Sequence, residues 1–261
     1  MIIFQYDKTF EGLLTAIFDA YNRKSFPDLL IGNEDQVPLF VDETYSVLTQ
    51  KDKATRVWKG LEKKLNKNSL NMISYVWLSE LPTIDRLLFS YIRKIVDNST
   101  SFQHNFADNN VLEMRKIAIK VSKERHRMIE FVRFQKAADD LFFAAISPEH
   151  NCLPLTISYF RNRFADQKWI IYDMRRNYGY YYDLKKTTEI TLDSLDLFAD
   201  GKLNEDLMAT DEKLFQDLWR GYFKALTIKE RINPKLHKQQ LPKKYWKYLT
   251  EKQSVCSNLD E

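Results

Sequence analysis

Residues 126–183 constrain the fold more than any other stretch of the chain. They read RHRMIEFVRF, then DDLFFAAISPEHN, then LPLTISYFRNRF, then KWIIYDMRRNYGYYYD. The apolar residues come in short blocks with turn chemistry between them, so the pattern predicts strand, strand, helix, strand, strand. Residues 128–134 are apolar on both alternating faces, with Met128, Val132 and Phe134 on one and Ile129 and Phe131 on the other. That is the signature of a central strand covered on both sides. Glu130 and Arg133 interrupt it, and a guanidinium inside a sheet needs a carboxylate; Glu130 and Asp173 are the candidates. Residues 141–146 form the next run, stopped by Ser147-Pro148. Pro154 opens a helix whose apolar stripe is Leu155, Tyr159, Phe160 and Phe164, with Arg161 and Arg163 standing off it. Residues 169–173 are a third strand, Gly179 falls in a turn, and residues 180–183 are a fourth strand.

The flanking chain supplies helices. Residues 2–6 alternate weakly as a first strand. Residues 10–21 place Phe10, Leu13, Leu14, Ile17 and Phe18 on one helical face, with Thr9 as cap. Residues 25–40 hold Pro27, Gly32 and Pro38 and read as loop, and 44–49 as a short strand. Helices follow at 53–65, 70–78, 84–96 and 111–124, the last one basic. Beyond 183, residues 187–192 read as a strand and 211–228 as a helix. Its apolar faces are Leu214, Leu218, Tyr222 and Leu226, and Phe215, Trp219 and Phe223. Asn233-Pro234 breaks it. The expected architecture is α+β: a mainly antiparallel sheet flanked by helices, the C-terminal helix among them. At 261 residues the chain fits a single unit,. The polar segment 97–110 is the internal boundary expected between a strand- and helix-rich part, 1–96, and a sheet-containing part, 111–251.

Composition narrows the function classes. Hydrophobic residues are 44% and aromatic residues 14% of the chain, which describes a globular protein,. No apolar run reaches membrane-spanning length, and the start, MIIFQYDKTF, lacks the layout of a signal peptide. The expected setting is the reducing cytoplasm, with no membrane partner. The 2 cysteines, Cys152 and Cys256, are too few to ligate an iron–sulfur cluster or a cysteine-only zinc site,. No phosphate-binding or dinucleotide glycine motif occurs. His150 and Cys152 are the nearest approach to a metal-ligand pair, and an ordinary loop before a helix explains them better. The expectation is therefore no metal and no cofactor.

Charge is unevenly spread. The net charge is only +4. Residues 115–136 nevertheless carry eight Lys or Arg against two Glu, and 220–252 carry ten against two. Residues 189–217 carry nine Asp or Glu against two Lys. Arg175 and Arg176 follow a strand end, where polar groups meet ligands, and either grip a phosphate backbone with Asp173 orienting one of them, or salt-bridge a hairpin. Arg161 and Arg163 carry the same two readings. Lys243 and Lys244 lie beside Tyr245 and Trp246, the interleaving of a nucleic-acid contact or of a docked tail. Tyr178, Tyr180, Tyr181 and Tyr182 are stacking platforms or core-filling strand residues, and alternation sends at least half of them to the core. Asp173 and Glu130 are the weak candidates for an acid or base.

The blocks EFVRF, ISPEHNCLP and YFRNRFADQKWIIYDMRRNYGYYYD, with the ending LWRGYFKALTIKERINPKLHKQQLPKKYWKYLTE, resemble a bacterial family described as probable DNA metabolism proteins. The resemblance implies a neighbouring radical-SAM protein assigned to DNA modification or repair, and a domain also found fused to uracil-DNA-glycosylase-like domains. It transfers no catalytic residue. The expected function is a nucleic-acid-binding accessory of DNA repair or modification, acting with that radical-SAM partner. The alternatives are an enzyme acting on a nucleotide or damaged base, and a protein-interaction scaffold. The two basic tracts together with the four arginines are expected to form one continuous face.

Overall fold

A computed structural model describes residues 1–98, 100–192, 198–199 and 202–252. Cys256 and the other residues after 252 lie outside the described residues, as does part of the acidic tract. The chain divides into two compact units, 1–122 and 123–261.

In the first unit β1 (Ile2–Tyr6) leads into α1 (Phe10–Arg23), followed by β2 (Leu29–Gly32), β3 (Glu43–Ser46), α2 (Lys51–Lys64), α3 (Lys67–Trp77) and α4 (Ile84–Asp97). The sheet order is β2-β1-β3 and both pairings are parallel. Thr9 caps α1, its hydroxyl accepting from the Gly12 N–H at 2.9 Å,. Phe4, Tyr6, Leu13, Ile17, Leu61, Ile73, Leu88 and Tyr91 are buried in one core. β2 lies inside the stretch expected to be loop, because Leu29, Leu30 and Ile31 are an apolar run that its flanking Pro and Gly residues masked.

α5 (Asn109–Phe131) follows, and it corrects the strand expected at 128–134. Val111, Met114, Ile117, Val121, Glu124 and Met128 are all buried. Their three- and four-residue spacing continues the helical period through the segment that also alternates. Arg133 therefore lies outside any strand.

The second unit carries the sheet β4-β5-β6-β7-β8, made of Gln135–Lys136, Phe142–Ile146, Trp169–Asp173, Tyr178–Tyr182 and Thr187–Ile190. β5 and β6 are parallel, joined through α6 (Ile157–Arg163), and the other pairings are antiparallel. The protein thus mixes helices with one parallel and one mixed sheet. A mainly antiparallel sheet does not describe the first unit, and it overlooks the β5–β6 crossover in the second. Gly179 sits mid-strand and not in a turn: a Cβ there would lie 2.5 Å from the Ile171 carbonyl oxygen,. The turn is 174–177, where Asn177 adopts φ 54°,. Phe160 of α6 packs on Trp169 at a centroid distance of 6.3 Å, and Trp169 on Tyr182 at 5.4 Å. Tyr159, expected on that stripe, is exposed.

The short strands β9 (Phe198–Ala199) and β10 (Lys202–Leu203) pair antiparallel. α7 (Glu212–Leu226) and α8 (Pro234–Gln240) follow. The apolar face expected to bury α7 against the sheet is open: Leu214, Leu218, Tyr222 and Leu226 are 56–61% exposed. Short turns of 3-10 helix at Lys243–Tyr248 and Thr250–Lys252 bury Tyr245, Trp246 and Leu249. No described helix is long and apolar enough to cross a membrane.

Candidate functional site: an aromatic cleft

Asp173, Arg175, Arg176 and Lys244, four of the polar residues singled out by sequence, converge on a knot around the loop 147–152. Glu124 reaches it from α5. Its carboxylate accepts from the backbone N–H groups of Glu149 and His150, both at 2.8 Å, from the Tyr245 hydroxyl at 3.0 Å and from the Lys244 ammonium at 3.2 Å. Burial alone raises the pKa of such a group, but these N–H donors and Lys244 hold it below the ordinary carboxylate range,. Asp173, at the end of β6, is fully buried. It accepts from the Arg175 and Arg176 N–H groups and pairs with the Arg176 guanidinium at 2.9 Å. Here burial wins, and the pKa of Asp173 is raised. Arg176 also donates to the carbonyls of Pro148 and Glu149, and Arg175 to that of Glu149. Tyr178 donates to Asn151.

Cys152 is buried in the same knot, and burial beside Glu124 and Asp173 pushes its thiol up to about 12, which makes it inert as a nucleophile,. Among the described residues no group of three or more His, Cys, Asp or Glu is placed to hold a metal ion. Asp173 and Arg176 form the salt-bridged hairpin end that sequence offered as the alternative to a phosphate grip. Glu130 does not join it; it is exposed near the end of α5. Lys243 is exposed with its ammonium 5.9 Å from the Trp246 ring, and Lys244 lies 5.1 Å from that of Tyr245. Arg161 is exposed on α6.

Arg163 goes elsewhere. With Arg133 and Lys136 it lines an open cleft of about 770 Å³ within the second unit. That volume lies within the range of small-molecule sites. Five aromatic residues wall it, and Asp211, Glu212, Gln216 and Thr250 join the three cations in the lining. Phe134 and Phe164 meet edge to face at 5.2 Å, Phe142 opens β5, and Phe215 and Trp219 face in from α7. The Arg163 guanidinium stands 5.4 Å from the Phe164 ring, and that of Arg133 stands 5.8 Å from the Trp219 ring,.

Glu251 fixes part of this wall. It pairs with Arg133 at 2.9 Å and accepts the Trp219 indole N–H at 2.9 Å. The expected carboxylate partner of Arg133 is thus Glu251, from the C-terminal tail, and neither Glu130 nor Asp173. Arg133 also donates to the backbone carbonyls of Glu130 and Val132. At the other end Glu212 is buried. It accepts from the Lys136 N–H at 3.0 Å and from the Gln216 amide at 2.9 Å. Lys136 pairs with Asp140 at 2.8 Å. Arg163, by contrast, has no carboxylate partner among the described residues.

Sequence reasoning flagged Arg163 but assigned Phe134, Phe164, Phe215 and Trp219 to the core. One signal pointed further. The apolar residues of α7 spread over two adjacent faces, wider than one packing stripe requires.

No curated protein and no solved structure matches the chain. A family described as a domain of unknown function, DUF4130, matches residues 82–251. That span contains every residue of the knot and of the cleft lining, and the chain belongs to this DUF4130 family.

Proposed function

We propose that the protein is a nucleic-acid-binding accessory of DNA repair or modification, acting beside a radical-SAM partner that supplies the cluster chemistry. The observation that carries the binding reading is the cleft: five aromatic residues in its lining and, beside them, Arg163 with no carboxylate partner among the described residues, while Arg133 and Lys136 are paired with Glu251 and Asp140. Cations neutralise phosphates, and aromatic faces accept bases. The partner and the repair context rest on the family resemblance read from the sequence. The rival reading of an enzyme acting on a nucleotide or damaged base loses ground on geometry. Asp173 is committed to Arg176 and the turn N–H groups, and neither it nor Glu130 lines the cleft.

A second reading, an interaction scaffold, draws on one specific observation. Leu214, Leu218, Tyr222 and Leu226 present an apolar stripe to solvent along α7,.

The deciding measurement is a salt titration of binding to a short single strand and to a duplex. On the nucleic-acid reading, the logarithm of affinity falls linearly with the logarithm of salt concentration, with a slope of about −0.7 to −0.9 per phosphate neutralised. Absence of binding to both at low salt overturns this reading and leaves the scaffold.

A further inference from the structure

We infer that the cleft receives a single unstacked base of a nucleic-acid strand, laid on the aromatic walls formed by Phe164 and Trp219, with Arg163 meeting the adjoining phosphate. This rests on the nucleic-acid reading above and adds to it what enters the cleft. A duplex keeps its bases stacked inside, so only phosphates and groove edges reach a protein surface. Phosphates have no use for an aromatic wall, whereas the face of a free base does.

The wall residues are held for such a role. Trp219 is fixed by its N–H to Glu251 while its ring stays 39% exposed. Phe164 is braced by Phe134 on its edge. Large apolar rings left open at a cleft forgo burial, and a stacked base would restore it. The charges divide by availability. Arg133 is neutralised by Glu251 and Lys136 by Asp140. Arg163 is exposed beside Phe164, with no carboxylate partner among the described residues, and so offers its guanidinium to an incoming anion,.

Stacking on an aromatic ring is tolerant of sequence, because every base has a π-face. The stacking contribution should therefore be similar for any base.

The test compares two short strands of equal length, one carrying bases and one abasic throughout, at fixed salt. Their phosphates are the same, so the comparison isolates the base. The expected result is tighter binding of the base-bearing strand by about 5- to 150-fold for one stacked base. That preference should disappear in Trp219→Ala and in Phe164→Leu, with the salt slope kept. Circular dichroism confirms that each variant is folded, and 2-aminopurine fluorescence in the wild-type complex reports stacking without any substitution. Equal binding of the two strands overturns the inference and leaves nucleic-acid binding standing. A preference that survives both substitutions places the base elsewhere and also overturns it. Failure of both strands to bind removes the nucleic-acid reading itself, and the inference with it.

Discussion

The knot around residues 147–152 and the cleft beside α7 belong to the same unit and use their side chains in opposite ways. In the knot, charged residues are turned inward. Glu124 and Asp173 are buried, and their partners are backbone N–H groups, Arg176, Lys244 and Tyr245. In the cleft, large apolar residues are turned outward. Phe215 and Trp219 are 57% and 39% exposed. Buried charge needs partners of high precision, and here those partners are the turns that hold β5, β6 and the tail in register. Exposed rings need no partner within the fold and stay available to a ligand. The difference teaches that inward charge here marks structure, while outward apolar surface, with the unpaired Arg163 beside it, marks the candidate site.

The largest expected effect comes from breaking the knot. Glu124→Ala removes the carboxylate that two N–H groups, a phenol and an ammonium now share. Lys244 is exposed and keeps Glu149, but each buried donor left without its acceptor costs about 1–3 kcal/mol, to be read from urea unfolding. A loss below about 1 kcal/mol would mean that the knot tolerates charge loss as a surface does. The pH dependence sharpens this. The folded pKa of Glu124 is depressed, so its contribution is complete above the ordinary carboxylate pKa,. That contribution is lost as pH falls through the depressed folded value. Asp173 has the opposite sign, since its raised pKa means that ionisation costs stability as pH rises through it,. Glu124→Gln should therefore flatten the acid limb of the wild-type stability curve, leaving the contrary slope of Asp173 in place.

A smaller effect separates two neighbours that sequence treats alike. Arg176 holds Asp173 and two loop carbonyls, with only 12% of its side chain exposed. Arg176→Ala should cost about 1.5–3 kcal/mol, the range for hydrogen bonds to charged groups. Arg175 is exposed and gives one side-chain hydrogen bond to the Glu149 carbonyl. Arg175→Ala should stay within about 0.5 kcal/mol of wild type, as surface changes do. Sequence suggests that both can be changed together without unfolding; thermal melts of the two single variants decide whether that holds for Arg176. Equal melts would dissolve the distinction between knot and surface at this turn.

Much of the fold is legible in the sequence because its periods are clean. β1, α1, β6 and α4 fall within a residue or two of where alternation and spacing put them. Two errors have separate local causes. At 128–134 apolar density satisfies both periods at once, and only the buried stripe running back to Val111 shows that the helix continues. At Gly179 a glycine reads as a turn, although it is needed where β7 passes close to the Ile171 carbonyl. The candidate site was less legible. Its walls come from Phe134, Phe164 and α7, and whether an aromatic residue ends up covered depends on what packs against it, which local pattern does not contain. The pairing of Arg133 with Glu251 spans 118 residues, beyond any local signal.

The smallest effect in stability is the most informative about the cleft. Arg163 is exposed, ends α6 and has no carboxylate partner among the described residues. Arg163→Ala should leave unfolding within about 0.5 kcal/mol of wild type. If the guanidinium meets one phosphate, the same change should weaken binding of a short single strand uniformly across sequences and reduce the salt slope by about 1. Arg161, two residues before the same helix end and also exposed, does not line the cleft and provides the control. An Arg161→Ala variant that lowers the slope as much as Arg163→Ala would mean that binding spreads over the basic surface of α6. The cleft would then lose its claim to the phosphate, whatever its aromatic walls do.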